Sequence, residues 1–195
     1  NSAVQSVKAN PEGGITIICN DKEEYFDKVI FTSPLNVLNK VANQSLFESS
    51  KPTAPVEYLG VICLVMITTK SLTPYYVLNI ADKEIPFTGV IGMSSLVDLD
   101  QTANEHLTYF PKYVSANDAY WQKSDEELTS LFLEGVSKLY PDFDKNDIVS
   151  THLHKALKVQ PLQVLNYSET IPDVQTKHKD FYILNTSQFV NDTLN

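Results

Sequence analysis

Hydrophobic and polar positions alternate loosely from Val4 to Ala9, and Asn10-Pro11-Glu12-Gly13-Gly14 then interrupts them with turn chemistry. Ile15-Thr16-Ile17-Ile18-Cys19 follows as a β-branched run, so residues 4–19 predict a hairpin. The polar stretch Asn20 to Glu24 predicts a turn. Phe26-Asp27-Lys28-Val29-Ile30-Phe31 predicts a third strand, ended by Thr32-Ser33-Pro34. Leu35, Leu38 and Val41 recur at helical spacing, which predicts a short helix after that strand.

Residues 43–57 are rich in Ser, Thr and Lys and hold Pro52 and Pro55, the composition of a connection between units. Beyond them, strands are expected at Tyr58 to Thr68, Tyr75 to Ile80, Phe87 to Ser94, His106 to Val114, Ile148 to Val159 and Phe181 to Leu184. Each is bounded by turn residues, which favours an antiparallel sheet over βαβ units. One helix is strongly signalled. Ser124 precedes Glu127 at capping-box spacing, and Leu128, Leu131, Phe132, Val136 and Leu139 form one apolar stripe that stops before Pro141.

Composition narrows the function. The 195 residues carry a net charge of -9, and all 15 basic residues are Lys, so the basic face that nucleic acid or an anionic membrane needs is missing. Without Arg, the rigid fork that grips phosphates and carboxylates is also missing. Only 6 glycines occur and none forms GxGxxG or a phosphate loop, so the chain brings no glycine-rich nucleotide cradle. Its longest apolar run, Tyr58 to Ile67, is far below the ~20 residues of a membrane span. No secretory signal pattern is visible. A chain that opens on Asn1, with Met66 and Met93 as its methionines, is expected to be cut from something larger.

Discrete chemistry is thin. His152 and His154 share one strand face, but the sequence names no third ligand, and no metal site is expected. Cys19 and Cys63 read as two small buried hydrophobes. No Ser lies in a nucleophile elbow, so no Ser-His-Asp set can be assembled. Asp142, Asp144 and Asp147 resemble part of a calcium loop without its Gly and final Glu, which favours a solvated turn. The sequons at Asn43, Asn166, Asn185 and Asn191 do not establish secretion. Tyr75, Tyr76, Tyr109, Tyr113, Tyr120 and Trp121 could line an apolar pocket or simply fill a core.

Several segments, taken in order, resemble a known family. GITIICNDKEEYFDKVIFTSPL is similar to the late β-meander of the flavin-dependent amine oxidase, protoporphyrinogen oxidase and phytoene desaturase superfamily. YLGVICLVMITTKSLTPYYVLNI, PFTGVIGMSSL, EHLTYFPKYV, KALKVQP and DFYILNTSQFVNDTLN resemble its substrate-binding domain and the approach to its C-terminal FAD motif. The resemblance implies an α+β fold: a mainly antiparallel sheet with helices packed on one side, plus a small β-meander belonging to an FAD domain. It implies FAD-domain structure over 1–45, a substrate-binding domain over 46–180, and a return strand towards the FAD domain over 181–195.

The same resemblance implies that the intact polypeptide is an FAD-dependent oxidoreductase that moves a hydride from an apolar or amine substrate to FAD. The chain alone is not expected to bind FAD. Its expected partners are a small-molecule substrate and the remainder of the same polypeptide. Thr32, Ser33 and Pro34 match a turn beside FAD, and Asn185 and Gln188, with Thr186, Ser187 and Asn195, match the segment leading to the flavin ring. Tyr75, Tyr76, Met93 and Ser94 are the expected substrate-pocket residues, and no catalytic residue is assigned. Gly92-Met93-Ser94, Lys155 and Lys158 depart from the family pattern. The absence of Arg argues against a galactopyranose mutase-like grip on a nucleotide diphosphate. The competing reading is a non-catalytic module whose antiparallel sheet lines an apolar pocket.

Overall fold

A computed structural model describes residues 2–48 and 56–190, and the chain divides into two compact units, 1–57 with 160–195 and 58–159. Residues 160–180, which the sequence reading grouped with the later unit, cluster with the first. Pro52, Pro55, Asn191 and Asn195 lie outside the described residues.

The first unit opens with strands β1 (Val4–Ala9), β2 (Ile15–Cys19) and β3 (Lys22–Phe26), which form an antiparallel meander in that order. Gly13 and Gly14 take φ of +110° and +75° in the first turn, where a side chain would be strained. The Gly14 amide donates to the buried Asp180 carboxylate at 3.0 Å, which pins this turn to a residue 166 positions away.

The second turn is tighter than the sequence predicts. Asn20 and Asp21 (φ 50° and 60°) form a two-residue reversal, and Lys22 to Glu24, expected as turn, begin β3. Asn and Asp tolerate left-handed backbone, and an exposed edge strand needs no apolar face, so the polar composition misled.

The expected strand over residues 26–31 is broken at Asp27-Lys28. Its second half, β4 (Val29–Phe31), leaves the meander and pairs in parallel with β10 (Phe181–Ile183). Bonds from the Val29 amide to the Asp180 carbonyl and from the Leu184 amide to the Phe31 carbonyl, both 2.9 Å, flank the pair. Two short helices follow, α1 (Leu35–Val41) and α2 (Gln44–Phe47). Val7, Ile15, Leu38, Leu46, Phe181 and Ile183 form the core of this unit.

The second unit is a five-stranded sheet backed by one long helix. The strands are β5 (Tyr58–Thr68), β6 (Val77–Asn79), β7 (Gly89–Gly92), β8 (His106–Val114) and β9 (Ile148–Pro161), in the order β6-β7-β8-β5-β9. Pairs β5–β8, β6–β7 and β7–β8 are antiparallel. Pro111 lacks an N–H in the middle of β8. Its carbonyl accepts from the Thr88 amide at 2.8 Å, beyond the β7 ladder, so the missing donor falls where pairing with β7 has already ended.

Helix α3 (Asp125–Leu139) starts at a complete capping box. Ser124 Oγ accepts from the Glu127 amide at 3.1 Å, and Glu127 Oε2 accepts from the Ser124 amide at 2.8 Å. Three acidic residues in its first turn complement the helix dipole. Its buried stripe, Leu128, Phe132 and Val136, meets Ile62, Leu64, Met66, Phe87, Val90 and Phe110 from one sheet face. The Phe87 ring packs on Phe110 and Phe132 at 5.0 and 5.9 Å, and each such buried side chain contributes about 1.5–3 kcal/mol. The α+β class, with helix packed on one side of a mainly antiparallel sheet, is therefore realised. No helix among the described residues is long and apolar enough to cross a membrane.

Candidate functional site

Two groups of residues carry the candidate chemistry, one in each unit. In the first unit, parallel pairing of β4 and β10 places their carboxyl ends side by side, which joins two sequence segments 152 residues apart. Asn185 Nδ2 donates to the Ser33 carbonyl at 3.2 Å. Asn185 Oδ1 accepts from the Ser187 amide and hydroxyl, and Gln188 Oε1 accepts from the Asn185 amide at 2.9 Å, which closes a second capping box over residues 185–188. Gln188 Nε2 donates to the Pro172 carbonyl at 3.1 Å. Pro34 is half-buried as the residue preceding α1.

Asn185 and Gln188 thus spend their side chains holding the loop in shape. Asn185 is buried and committed, so its sequon is closed in the folded chain. The exposed hydroxyls are those of Thr32, Ser33 and Thr186, and none has a hydrogen-bond partner among the described residues. Carboxyl ends of parallel strands are where open α/β sheets receive ligands. Hydroxyl and amide donors beside such ends suit the phosphates and ribose of a nucleotide cofactor in kind.

In the second unit, Tyr75, Tyr76, Met93 and Ser94 come together at the β6–β7 edge. The Gly92 amide donates to the Tyr76 carbonyl at 2.8 Å, and a Cβ on Gly92 would sit 2.8 Å from the Tyr75 carbonyl oxygen. Ser94 Oγ accepts from the Leu107 amide at 2.7 Å, so it braces the start of β8. Tyr75 and Tyr76 are exposed and Met93 is half-buried.

The sheet face opposite α3 extends this group. Along β5, Gly60, Ile62, Leu64, Met66 and Thr68 are buried towards the helix, while Val61, Cys63, Val65 and Ile67 on the other face are only half-buried. Register sets Val77 beside Ile91, Ile91 beside Tyr109, and Tyr109 beside Val65, an apolar row across four strands. Of the aromatics named from sequence, Tyr109 and Tyr113 belong to this face. Tyr120 and Trp121 pack against the helix-side core instead, with Trp121 Nε1 donating to the Ser115 carbonyl at 2.8 Å.

The row was missed residue by residue, yet a signal existed. Tyr58 to Ile67 is apolar at both parities, the mark of a strand with material on both faces. Cys63 lies near the middle of this face, half-buried rather than fully buried as expected, and burial pushes its thiol up to about 11 while a backbone hydrogen bond at Phe110 opposes the rise. The thiol is thus protonated near neutral pH.

The remaining candidates have other employment. Leu153 packs into the helix-side core and Lys155 pairs with Asp125 of α3 at 2.7 Å, so alternation puts His152 and His154 on the opposite face, both exposed. Asp144 caps the turn before β9, accepting from the Asn146 amide at 2.9 Å, and Asp147 pairs with Lys70 at 3.0 Å. Both border a cavity of about 320 Å³ between the end of β5 and the turn after α3, on the far side from the apolar row.

Solved structures share this architecture. The chain superposes on a protein assigned as a protoporphyrinogen oxidase from Exiguobacterium sp. 255-15 with a TM-score of 0.70 at 13% identity, covering 95% of this chain and 42% of that one. An oxidoreductase from Methanosarcina mazei gives 0.65 at 15% identity, covering 95% and 44%. Putrescine oxidase bound to putrescine gives 0.61 at 14% identity, covering 96% and 43%. The chain therefore spans less than half the length of these neighbours. A sequence comparison with curated proteins gives no match. The sequence profile of flavin-containing amine oxidoreductases matches residues 1–182, nearly the whole chain, and on that match the chain belongs to the flavin-containing amine oxidoreductase family.

Proposed function

We propose that this chain is the substrate-side sheet, together with part of the cofactor-binding unit, of an FAD-dependent oxidoreductase. The observation that carries the reading is the β4–β10 pair. Parallel strands occur in sheets covered on both faces, and a lone parallel pair of three residues each is too small to stand as a sheet. One face of the pair is buried by Phe181 and Ile183, but Ile30 on the other is 60% exposed. The exposed face supports a reading in which the two strands belong to a larger parallel sheet completed by other parts of the same polypeptide.

Thr32, Ser33 and Thr186 are the residues that would hold the cofactor, with Asn185 and Gln188 fixing the loop that presents them. When bound, the flavin accepts a hydride from the substrate. The work of this chain is to orient the substrate and exclude water, and the apolar row from Val77 to Val65, with Tyr75, Tyr76, Met93 and Ser94 at its edge, is the surface suited to it. No acid or base on this chain is required for that task.

The test is the full-length protein. It should purify yellow, with flavin absorbance bands, and a Thr32→Ala/Ser33→Ala variant should retain less flavin at equal fold content. The 195-residue chain alone should be colourless and inactive. A full-length protein that stays colourless after incubation with FAD would remove the reading and leave the non-catalytic binding module.

A further inference from the structure

The five strands of the second unit contain no Asp or Glu, although the chain has 24 of them. Charge as such is not kept out of these strands, since Lys112, Lys155 and Lys158 lie in them. Only the negative sign is missing. On the face away from α3, the row Val77, Ile91, Tyr109 and Val65 is flanked by Cys63 and Ile67, so its interior is uncharged. β9 adds His152 and His154 to this face and no carboxylate. Tyr109 supplies a polar atom within the row, and its hydroxyl has no partner among the described residues.

An ammonium group that leaves water for such a face loses its hydration and finds no carboxylate on these five strands to compensate it. An uncharged apolar molecule gains from the same burial, and a single polar atom on it can accept from or donate to Tyr109. We infer that the substrate this face receives is an uncharged apolar molecule, anchored by one hydrogen bond to the Tyr109 hydroxyl, and not a cationic amine. The inference rests on the functional reading above for its claim that the face meets substrate.

Cys63 provides a readout that does not need the flavin. In the full-length protein, iodoacetamide labelling of Cys63 at pH 8 is followed by peptide mass spectrometry, with 2-naphthalenemethanol or putrescine as the probe. At ten times its dissociation constant, the neutral aromatic should slow Cys63 labelling about tenfold by mass action. Putrescine at the same concentration should leave the rate unchanged. Tyr109→Phe, which keeps the ring and removes the hydroxyl, should weaken the protection by about three- to tenfold with unchanged thermal stability. Protection by putrescine equal to or greater than that by the aromatic would overturn the inference, and so would protection by neither probe. Loss of the flavin reading shows separately, as a colourless protein, whatever the labelling result.

Discussion

The closest approach in the second unit is at Gly135, and it makes a prediction whose sign can be reversed on purpose. Gly135 lies inside α3, where a Cβ would stand 2.4 Å from Pro86 Cδ, 2.8 Å from Pro86 Cγ and 3.1 Å from Phe87 Cε1. Gly135→Ala carries two opposed effects. Replacing Gly by Ala in a helix interior stabilises by about 1 kcal/mol. Overpacking costs about 1–3 kcal/mol, and the upper half of that range applies here because the obstacle is a closed ring on a buried segment rather than the end of a flexible side chain.

The net expectation is a loss of about 1–2 kcal/mol. In a Pro86→Ala background the ring atoms are gone and only Phe87 must give by a few tenths of an ångström. There the same substitution should become neutral or stabilise by up to about 1 kcal/mol. Equilibrium urea unfolding followed by the fluorescence of Trp121, the single tryptophan of the chain and a member of the same unit, gives all four corners of the cycle. If Gly135→Ala is as stable as the parent, or if its effect keeps the same sign without Pro86, helix α3 does not approach the 86–87 segment as described.

Two further outcomes follow from the residues around the candidate sites. The folded-state thiol of Cys63 is pushed up to about 11 from an ordinary 9.0, so the unfolded chain loses this proton first. Its contribution to stability is therefore complete below pH 9 and disappears as pH rises from 9 to 11; a Cys63→Val variant should show a flatter stability profile over that window, and parallel profiles would refute the assignment. Asn185→Ala removes the donor to Ser33 and the acceptor for the Ser187 amide, leaving that buried amide unsatisfied at a cost of about 1–3 kcal/mol. Hydrogen exchange should quicken at Ser187 and along β10, and an unchanged exchange pattern would mean that the loop is held by other contacts.

Local pattern was sufficient wherever an element is stabilised by its own neighbours. The Ser124–Glu127 box and the Leu128-Phe132-Val136 stripe specify α3 from within fifteen residues, and Tyr58 to Thr68 specifies β5 by composition alone. The family segments are equally properties of the string, and they lead to the flavin-containing family without coordinates. Pattern failed where the deciding partner is distant. Asp27-Lys28 breaks the third expected strand because β4 pairs with β10, 152 residues further on, and no local periodicity encodes a parallel partner.

The same reason explains why Asn185 and Gln188 emerged as bracing residues rather than exposed ones: their partners, Ser33 and Pro172, are neighbours only after the chain has folded. The apolar row likewise combines single residues from four strands. A strand's alternation is written in its sequence, but which alternate face meets α3 and which is left open depends on register and on where the helix lands, and those are settled by packing across the whole unit.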